Sequence, residues 1–420
     1  MSFVSRNQNS LVWYHFEVVP KFRWSENNCM VTYGCLMEFV FCLLCIYRRI
    51  SVKEMSATPS TICPKFVPVG GADIQSRSKP DENCDGTAGI RFRLVSYNIL
   101  AQVYIKSSLF PHSPSPCLKW KARSRSILTV LKNLEADFLC LQEVDEFDTF
   151  YKLNMESLGY FGVYIQRGGQ KCDGCGIFFR QNCAELLIEE RIEYNDLVNT
   201  IGDDLESQDD KHELKQAKGS SLKSTSKDHG NPNDPRVRLK RDCVAIMAAF
   251  ELKGYSRHVV IVANTHLYWD PAWADVKLAQ AKCLLSRLQQ FKEVVSDQFE
   301  CTPSVILAGD FNSTPGDKVY QYLISGNSSP ATLGGCLDEL PIPLCSVYGC
   351  TRGEPPFTNC TPGFTNTLDF IFFSPDDQIK PLSILELPEP NSADVLGGLP
   401  NYHHPSDHLP IGAEFEISKE

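Results

Sequence analysis

From Arg91 onward, short apolar runs bounded by polar residues alternate with stretches of helical periodicity. The runs Phe92–Tyr97, Asp137–Leu141, Gly176–Phe179, Cys243–Glu251, His258–Ala263, Ser304–Ala308, Leu368–Phe373 and Leu409–Ile417 have strand length and β-branched or aromatic content. Between Ala274 and about Asp297, Ala281, Leu284, Leu288, Phe291 and Val295 recur at three- and four-residue spacing and predict a helix with one buried face. A shorter helix is predicted over Ser126–Leu134, with Ile127, Val130, Leu131 and Leu134 inward. Strands that follow strands, mixed with strands separated by helices, imply a mixed sheet system covered by helices.

Two regions break this pattern. Asn199 to Lys240 is rich in Asp, Lys, Ser, Gly and Asn and has few large apolar groups. Such a stretch cannot repay the entropy of folding, so it reads as a disordered insertion within one domain. The first 90 residues form a separate leader, expected to be poorly ordered or to carry a targeting signal. Residues 29–47 are almost entirely apolar but contain Glu38 and are followed by Arg48-Arg49. A membrane helix needs about 20 apolar residues with few charges, and this run starts too far from Met1 for a signal peptide. An organellar targeting segment, a weak anchor and sequence upstream of a start at Met55 all stay open.

The 420 residues are 43% hydrophobic and 22% charged, which excludes fibrous and wholly disordered classes. The net charge is −10, so a site handling phosphates must supply its own local positive charge, most economically a metal ion. The 18 cysteines include Cys140, Cys243 and Cys283 inside apolar runs, as expected of free core cysteines in a reducing compartment, cytoplasmic or nuclear. Cys172-Asp-Gly-Cys175 has no second pair at zinc spacing and reads as a chance loop pair.

The chemistry lies where polar residues meet the strand ends. Asn98 ends one strand and Glu143 another, His266 a third, and Asp310 with Asn312 a fourth. Asp369 opens a further strand, and Ser406-Asp407-His408 precedes the last. Each residue alone has an ordinary explanation as a turn or cap. An ordered series of such strand ends is not explained that way. If the ends share one sheet edge, these oxygen and nitrogen donors suit a hard divalent cation, Mg²⁺ or Mn²⁺. A histidine held by a carboxylate can then serve as a base toward water.

The segments Val95-Ser-Tyr-Asn98, Leu139-Cys-Leu-Gln-Glu143, Asn264-Thr-His266, Gly309-Asp310-Phe-Asn312, Leu368-Asp369-Phe and Ser406-Asp407-His408-Leu-Pro together resemble the endonuclease/exonuclease/phosphatase superfamily. Tyr97-Asn-Ile-Leu-Ala, Trp120 with Arg123, Asp173-Gly-Cys-Gly-Ile-Phe-Phe and His266-Leu-Tyr-Trp-Asp-Pro271 narrow the resemblance. They are similar to the carbon catabolite repressor four-type branch of poly(A) nucleases, nocturnin and angel proteins. The resemblance implies a four-layer α/β sandwich, two packed mixed β-sheets flanked by helices. It implies Mg²⁺-dependent 3′→5′ exoribonuclease action on the poly(A) tail of mRNA, a single-stranded RNA, or nocturnin-like removal of the 2′-phosphate of NADPH or another small adenine nucleotide.

The resemblance also implies residue roles. Glu143 is the principal metal ligand, with Asp310 and Asp407 near the metal. Asn98 lies beside the metal and the attacked phosphate, His266 contacts the scissile phosphate, Asp310 and Asn312 position or activate the water, and Asp369 orients His408. Phe364 falls where the resemblance implies stacking on an adenine, near Asn359; by residue type alone, Pro271 and Trp269 could wall a base pocket, and Trp269 reads equally as core. By residue type alone, Arg123, Lys171 and Arg241 are candidate phosphate contacts, each read equally as a solvated surface charge. A catalytically silent RNA-binding protein is disfavoured because Glu143, Asp310, Asp369 and His408 are all present. No leucine-rich period precedes the catalytic region, so the resemblance does not extend to docking on a multi-subunit deadenylase complex.

Overall fold

The computed structural model describes residues 2–7, 10–15, 65–70, 89–199, 234–254, 258–325, 340–375 and 378–418. The chain divides into two compact units, Met1–Pro59 and Ser60–Glu420. In the first, strands β1 (Ser2–Asn7) and β2 (Ser10–His15) form an antiparallel hairpin. The apolar run at 29–47 and most of the predicted insertion, 200–233, lie outside the described residues. Among the described residues no helix is long and apolar enough to cross a membrane.

The second unit carries β3 (Phe66–Pro68), β4 (Ile90–Asn98), β5 (Phe138–Gln142), β6 (Tyr160–Gln166), β7 (Gly174–Arg180) and β8 (Ala184–Glu193). It continues with β9 (Val244–Leu252), β10 (His258–His266), β11 (Ser304–Asp310), β12 (Cys345–Ser346), β13 (Asn359–Thr361) and β14 (Phe364–Asn366). β15 (Asp369–Phe373), β16 (Ile379–Leu385) and β17 (Ile411–Ile417) complete the strands. The helices are α1 (Trp120–Asn133), α2 (Lys152–Ser157), α3 (Pro235–Arg238), α4 (Ala274–Phe299) and α5 (Lys318–Ile324).

Two sheets, ordered β12-β15-β11-β10-β9-β8 and β3-β16-β17-β4-β5-β7-β6, pack face to face. Phe92, Phe138, Ile177, Ile246, Phe250, Val262, Ile306 and Phe415 fill the space between them. The outer face of the first sheet buries Leu284, Leu288 and Phe291 of α4 with Val319 and Leu323 of α5. The outer face of the second buries Ile127 and Leu131 of α1 and Met155 of α2. Helix, sheet, sheet, helix is the four-layer sandwich the sequence resemblance implied.

Strand direction gathers the site at one edge. β4 runs parallel to β5, pairing Asn98 with Gln142, and β10 runs parallel to β11, pairing His266 with Asp310. β15 is antiparallel to β11, so it begins with Asp369 beside Asp310. β17 pairs Ile411 with Ser96, which brings the preceding His408 to the same edge. Inside the interface, Gln142 Nε2 donates to Asn264 Oδ1 at 2.8 Å, and Asn264 Nδ2 donates to the Leu141 and Gly176 carbonyls at 2.9 Å each. This stitches the two sheets at the edge that carries the site.

Several details differ from the sequence reading. The leader contributes β3 to the sheet edge, so the folded unit begins before residue 91. The C-terminal end of the predicted insertion folds as α3, capped by the Asp234 side chain on Arg236 N. α1 starts at Trp120 rather than Ser126, because the polar residues Arg123 and Ser124 occupy its buried face and interrupt the apolar period. Val130 is only partly buried.

Candidate active site

Glu143 and Asn98 are held by their own loops. Asn98 Nδ2 donates to Glu143 Oε1 at 3.2 Å and to Asp310 Oδ2 at 3.0 Å, so one amide bridges both sheets. Its Oδ1 accepts from Leu100 N at 3.0 Å, which fixes the amide's orientation. Glu143 Oε2 accepts from Ala101 N at 2.9 Å. Burial and the neighbouring Asp407 carboxylate push the Glu143 carboxyl up to about 7. Leu100, Glu143 and Asn312 adopt φ of +56°, +57° and +48°, left-handed conformations that cost L-residues about 1–2 kcal/mol each. Such strain concentrates at sites where the chain must aim a side chain.

On the other sheet, Gly309 permits the approach of β11 to β10: its φ is +152°, and a Cβ there would lie 2.2 Å from the Thr265 carbonyl oxygen. The following residue, Asp310, is buried, with Oδ2 3.6 Å from His266 Nε2 and 3.7 Å from His408 Nε2. Its Oδ1 accepts from Asn312 N at 2.9 Å, and Asn312 Nδ2 donates to the Leu267 carbonyl at 3.0 Å. His408 Nδ1 sits 2.7 Å from Asp369 Oδ2. Thr358 Oγ1 donates to that same oxygen at 2.6 Å and accepts from Leu368 N and Asp369 N. Ser406 Oγ donates to the Asn98 carbonyl and accepts from His408 N, tying the two strand ends together.

The two histidines facing Asp310 are shifted in opposite directions. Burial lowers the pKa of His266 to about 4, leaving it neutral. Burial alone would lower that of His408 too, but Asp369 and Asp310 outweigh it and hold the value well above the ordinary 6.5. Burial and Asp369 also raise the Asp310 carboxyl.

The structure therefore brings Asn98, Glu143, His266, Asp310, Asn312, Asp369 and His408 into one cluster. Asp407, half-buried, is close enough to act on the charge of Glu143. The β13–β14 hairpin is bonded onto this rim: Asn359 bridges His408, Cys360 N donates to the Asp407 carbonyl at 3.0 Å, and Phe364 at the turn is 45% exposed. Pro271 is exposed on the loop beyond His266. Arg241 lies at the entry to β9, 4.0 Å above the Trp273 ring.

Arg123 is not at the surface. It is 1% exposed, and its guanidinium donates to the carbonyls of Pro405 (2.8 Å), Ile99 (2.8 Å) and Leu100 and to Gln102 Oε1 (2.9 Å). The expected phosphate contact is instead an internal clamp joining the Asn98 loop to the Asp407 loop. Thr358 and Lys277 were not apparent in the sequence as parts of the site. Lys277 is buried, and its Nζ donates to the Asn312 carbonyl at 2.6 Å. Its signal was a lysine on the buried face of α4, one residue after Val276.

Asp310, Asp369 and His408 present ligand atoms within 4.8 Å of one another, a grouping able to hold a metal ion. A fold of two mixed sheets with these strand-end donors defines a class: the chain belongs to the Endonuclease/Exonuclease/phosphatase family, whose pattern matches residues 95–408. Within it, the chain is 60% identical over 410 residues to carbon catabolite repressor protein 4 homolog 4 of Arabidopsis thaliana, covering 90% of this chain and 97% of that protein. It is 29% identical over 377 residues to the CCR4-Not complex 3′-5′-exoribonuclease subunit Ccr4 of Debaryomyces hansenii, covering 84% of this chain but 42% of that protein. The crystal structure of ANGEL2, a 2′,3′-cyclic phosphatase, in complex with adenosine-2′,3′-vanadate superposes with a TM-score of 0.61. It is 25% identical, and the match covers 85% of this chain and 99% of that one.

Proposed function

We propose that this protein is a divalent-cation-dependent 3′→5′ exoribonuclease that shortens poly(A), releasing adenylate by hydrolysis of the terminal phosphodiester. The observation that carries the reading is the Asn98 amide spanning Glu143 and Asp310, with His266 and His408 both facing the Asp310 carboxylate. The name of the Debaryomyces relative, a 3′-5′-exoribonuclease subunit, supports the choice of RNA and of polarity.

The Glu143 side of the cluster fits a hard cation. Its carboxyl is pushed up by burial and by Asp407, the condition a bound cation relieves, and its donors are oxygens. Glu143, with Asp407 and Asn98 beside it, would hold Mg²⁺ or Mn²⁺, which polarises a phosphoryl oxygen and lowers the pKa of water. The remaining steps belong to the chain. Asp310, its pKa raised, accepts the proton of the attacking water, with Asn312 N fixing the carboxylate through Oδ1. His408, held by Asp369, which Thr358 anchors, and His266 donate N–H groups to the phosphate as negative charge builds. Phe364 on its hairpin offers a face for the terminal adenine, worth about 1–3 kcal/mol.

A second reading, a phosphatase acting on an adenine nucleotide or on an RNA end, is favoured by the similarity to the 2′,3′-cyclic phosphatase bound to adenosine-2′,3′-vanadate. A purified-protein comparison separates the two. Oligo(A), mixed-sequence RNA, RNA ending in a 2′,3′-cyclic phosphate and NADPH are each incubated with Mg²⁺ and with chelator. Mg²⁺-dependent release of AMP from oligo(A), faster than from mixed sequence, is expected. Turnover confined to NADPH or the cyclic phosphate would replace the exonuclease reading with the phosphatase one.

A further inference from the structure

Cations and aromatic rings alternate across the loops that follow β4 and β10 and precede β7 and β9. Lys171 lies 5.6 Å from the Tyr104 ring, Arg241 lies 5.4 Å from Tyr268 and 4.0 Å from Trp273, and Arg238 lies 4.0 Å from Trp273. Beyond them Trp269 is 64% exposed, next to Tyr268 at 6.1 Å.

The row is built as one piece with the site. Tyr104 hydroxyl donates to the buried Asp173 at 2.5 Å, and Arg167 pairs with the other oxygen of that carboxylate at 3.5 Å. Arg167 Nε in turn donates to the Asp242 carbonyl at 3.2 Å. The loop carrying Lys171 packs on Asp242 through Gly169, where φ is +64° and a Cβ would meet Asp242 Oδ2 at 2.6 Å. Asp242 is the residue after Arg241, and Asn195 anchors it by two hydrogen bonds. Tyr268 is placed by Gln280, whose Oε1 accepts from its backbone N–H.

Charge in the row is unequally used. Arg238 is paired with Asp275 through two bonds, at 2.6 and 2.7 Å. Arg241, by contrast, donates to the Lys240 carbonyl at 3.0 Å, its buried Nε has no partner, and among the described residues no carboxylate lies within ion-pair distance. Two rings hold this guanidinium in place with its charge unspent, at a site beside the catalytic edge of a chain whose net charge is −10. Both guanidiniums crowd Trp273, so the free ring is Trp269.

We infer that this row is a track for the nucleotides on the 5′ side of the scissile linkage of a single-stranded RNA, with Lys171 and Arg241 on backbone phosphates and Trp269 stacked on a base. The inference rests on the RNA reading above and extends it past the terminal nucleotide. Alternation of cations with exposed rings is how sequence-tolerant single-strand grooves work. The track predicts that affinity rises with chain length and falls with salt.

The test is fluorescence anisotropy with 5′-labelled oligo(A) of two to ten nucleotides in chelator, alongside hydrolysis of the same oligomers in Mg²⁺. For the wild type, affinity should climb over the first several nucleotides. Trp269→Ala should weaken ten-nucleotide binding by roughly 5- to 150-fold. It should leave the salt slope unchanged. Arg241→Ala and Lys171→Ala should each flatten the plot of log affinity against log salt by about 0.7. Affinity that does not depend on length, or salt slopes that stay at the wild-type value in both charge variants, would overturn the track. Failure of the wild type to hydrolyse any oligomer, with length-dependent binding intact, would sink the exonuclease reading and leave the track standing.

Discussion

Replacing Arg123 by Met removes all four hydrogen bonds of the clamp while keeping an unbranched stem that fills part of its volume. Three backbone carbonyls (Ile99, Leu100 and Pro405) and Gln102 Oε1 then lose a charged partner in the interior. Hydrogen bonds to a charged group contribute about 1.5–3 kcal/mol each, so the gross loss is about 6–12 kcal/mol. Part of that is returned, because burial lowers the pKa of this guanidinium and no longer taxing a buried charge recovers several kcal/mol. The net expectation is about 3–5 kcal/mol, or a melting temperature lower by about 4–7 °C for a unit of this size. Because the clamp joins the loop after Asn98 to the loop before Asp407, kcat should fall with KM little changed. Arg123→Lys, which keeps the charge and one donor direction, should recover part of both. The assay is thermal unfolding by circular dichroism at pH 7.5 together with kcat and KM on oligo(A). A substrate-binding arginine would give the opposite split, an unchanged melting temperature and a raised KM. That outcome would refute the clamp.

Glu143→Gln should melt higher than the wild type in chelator at pH 8 and alike at pH 4.5. A carboxyl whose folded pKa is raised from 4.5 to about 7 loses stability as pH climbs through that window, by at most about 3 kcal/mol, less with its partial exposure. Mg²⁺ should raise the wild-type melting temperature and not the variant's. Gly309→Ala should yield little soluble protein, since a Cβ 2.2 Å from the Thr265 oxygen forces β10 and β11 apart. Phe364→Ala should lose roughly 5- to 150-fold in kcat/KM on oligo(A). A small activated phosphodiester without a base should be cleaved nearly as well by this variant as by the wild type. Equal losses on both substrates would make Phe364 a loop anchor.

What could be read from the sequence follows from what makes strands and sites visible. The central strands β4, β5, β7, β9, β10, β11, β15 and β17 are near-continuous apolar runs because both faces are covered, and such runs stand out. The edge strands β6 and β8 were not apparent. β8 reads Ala-Glu-Leu-Leu-Ile-Glu-Glu-Arg-Ile-Glu, the charged composition that protects a sheet edge. β16 was hidden by Pro381, which sits at a break in its register. The metal and histidine cluster was legible because each side chain ends an apolar run. Thr358 carries no such mark: its partner Asp369 is 11 positions away, across the β13–β14 hairpin. Arg123 misled because it precedes the helix predicted from Ser126, where an arginine reads as a free cation, whereas here four oxygens converge on it.

The central claim is tested most directly by following 5′-labelled oligo(A) with purified protein in Mg²⁺ and resolving products by length and by nucleotide. The account predicts a ladder shortening from the 3′ end one residue at a time with 5′-AMP released, abolished by chelator and by Asp310→Asn. An intact oligomer in Mg²⁺, or internal cuts without AMP, would contradict it.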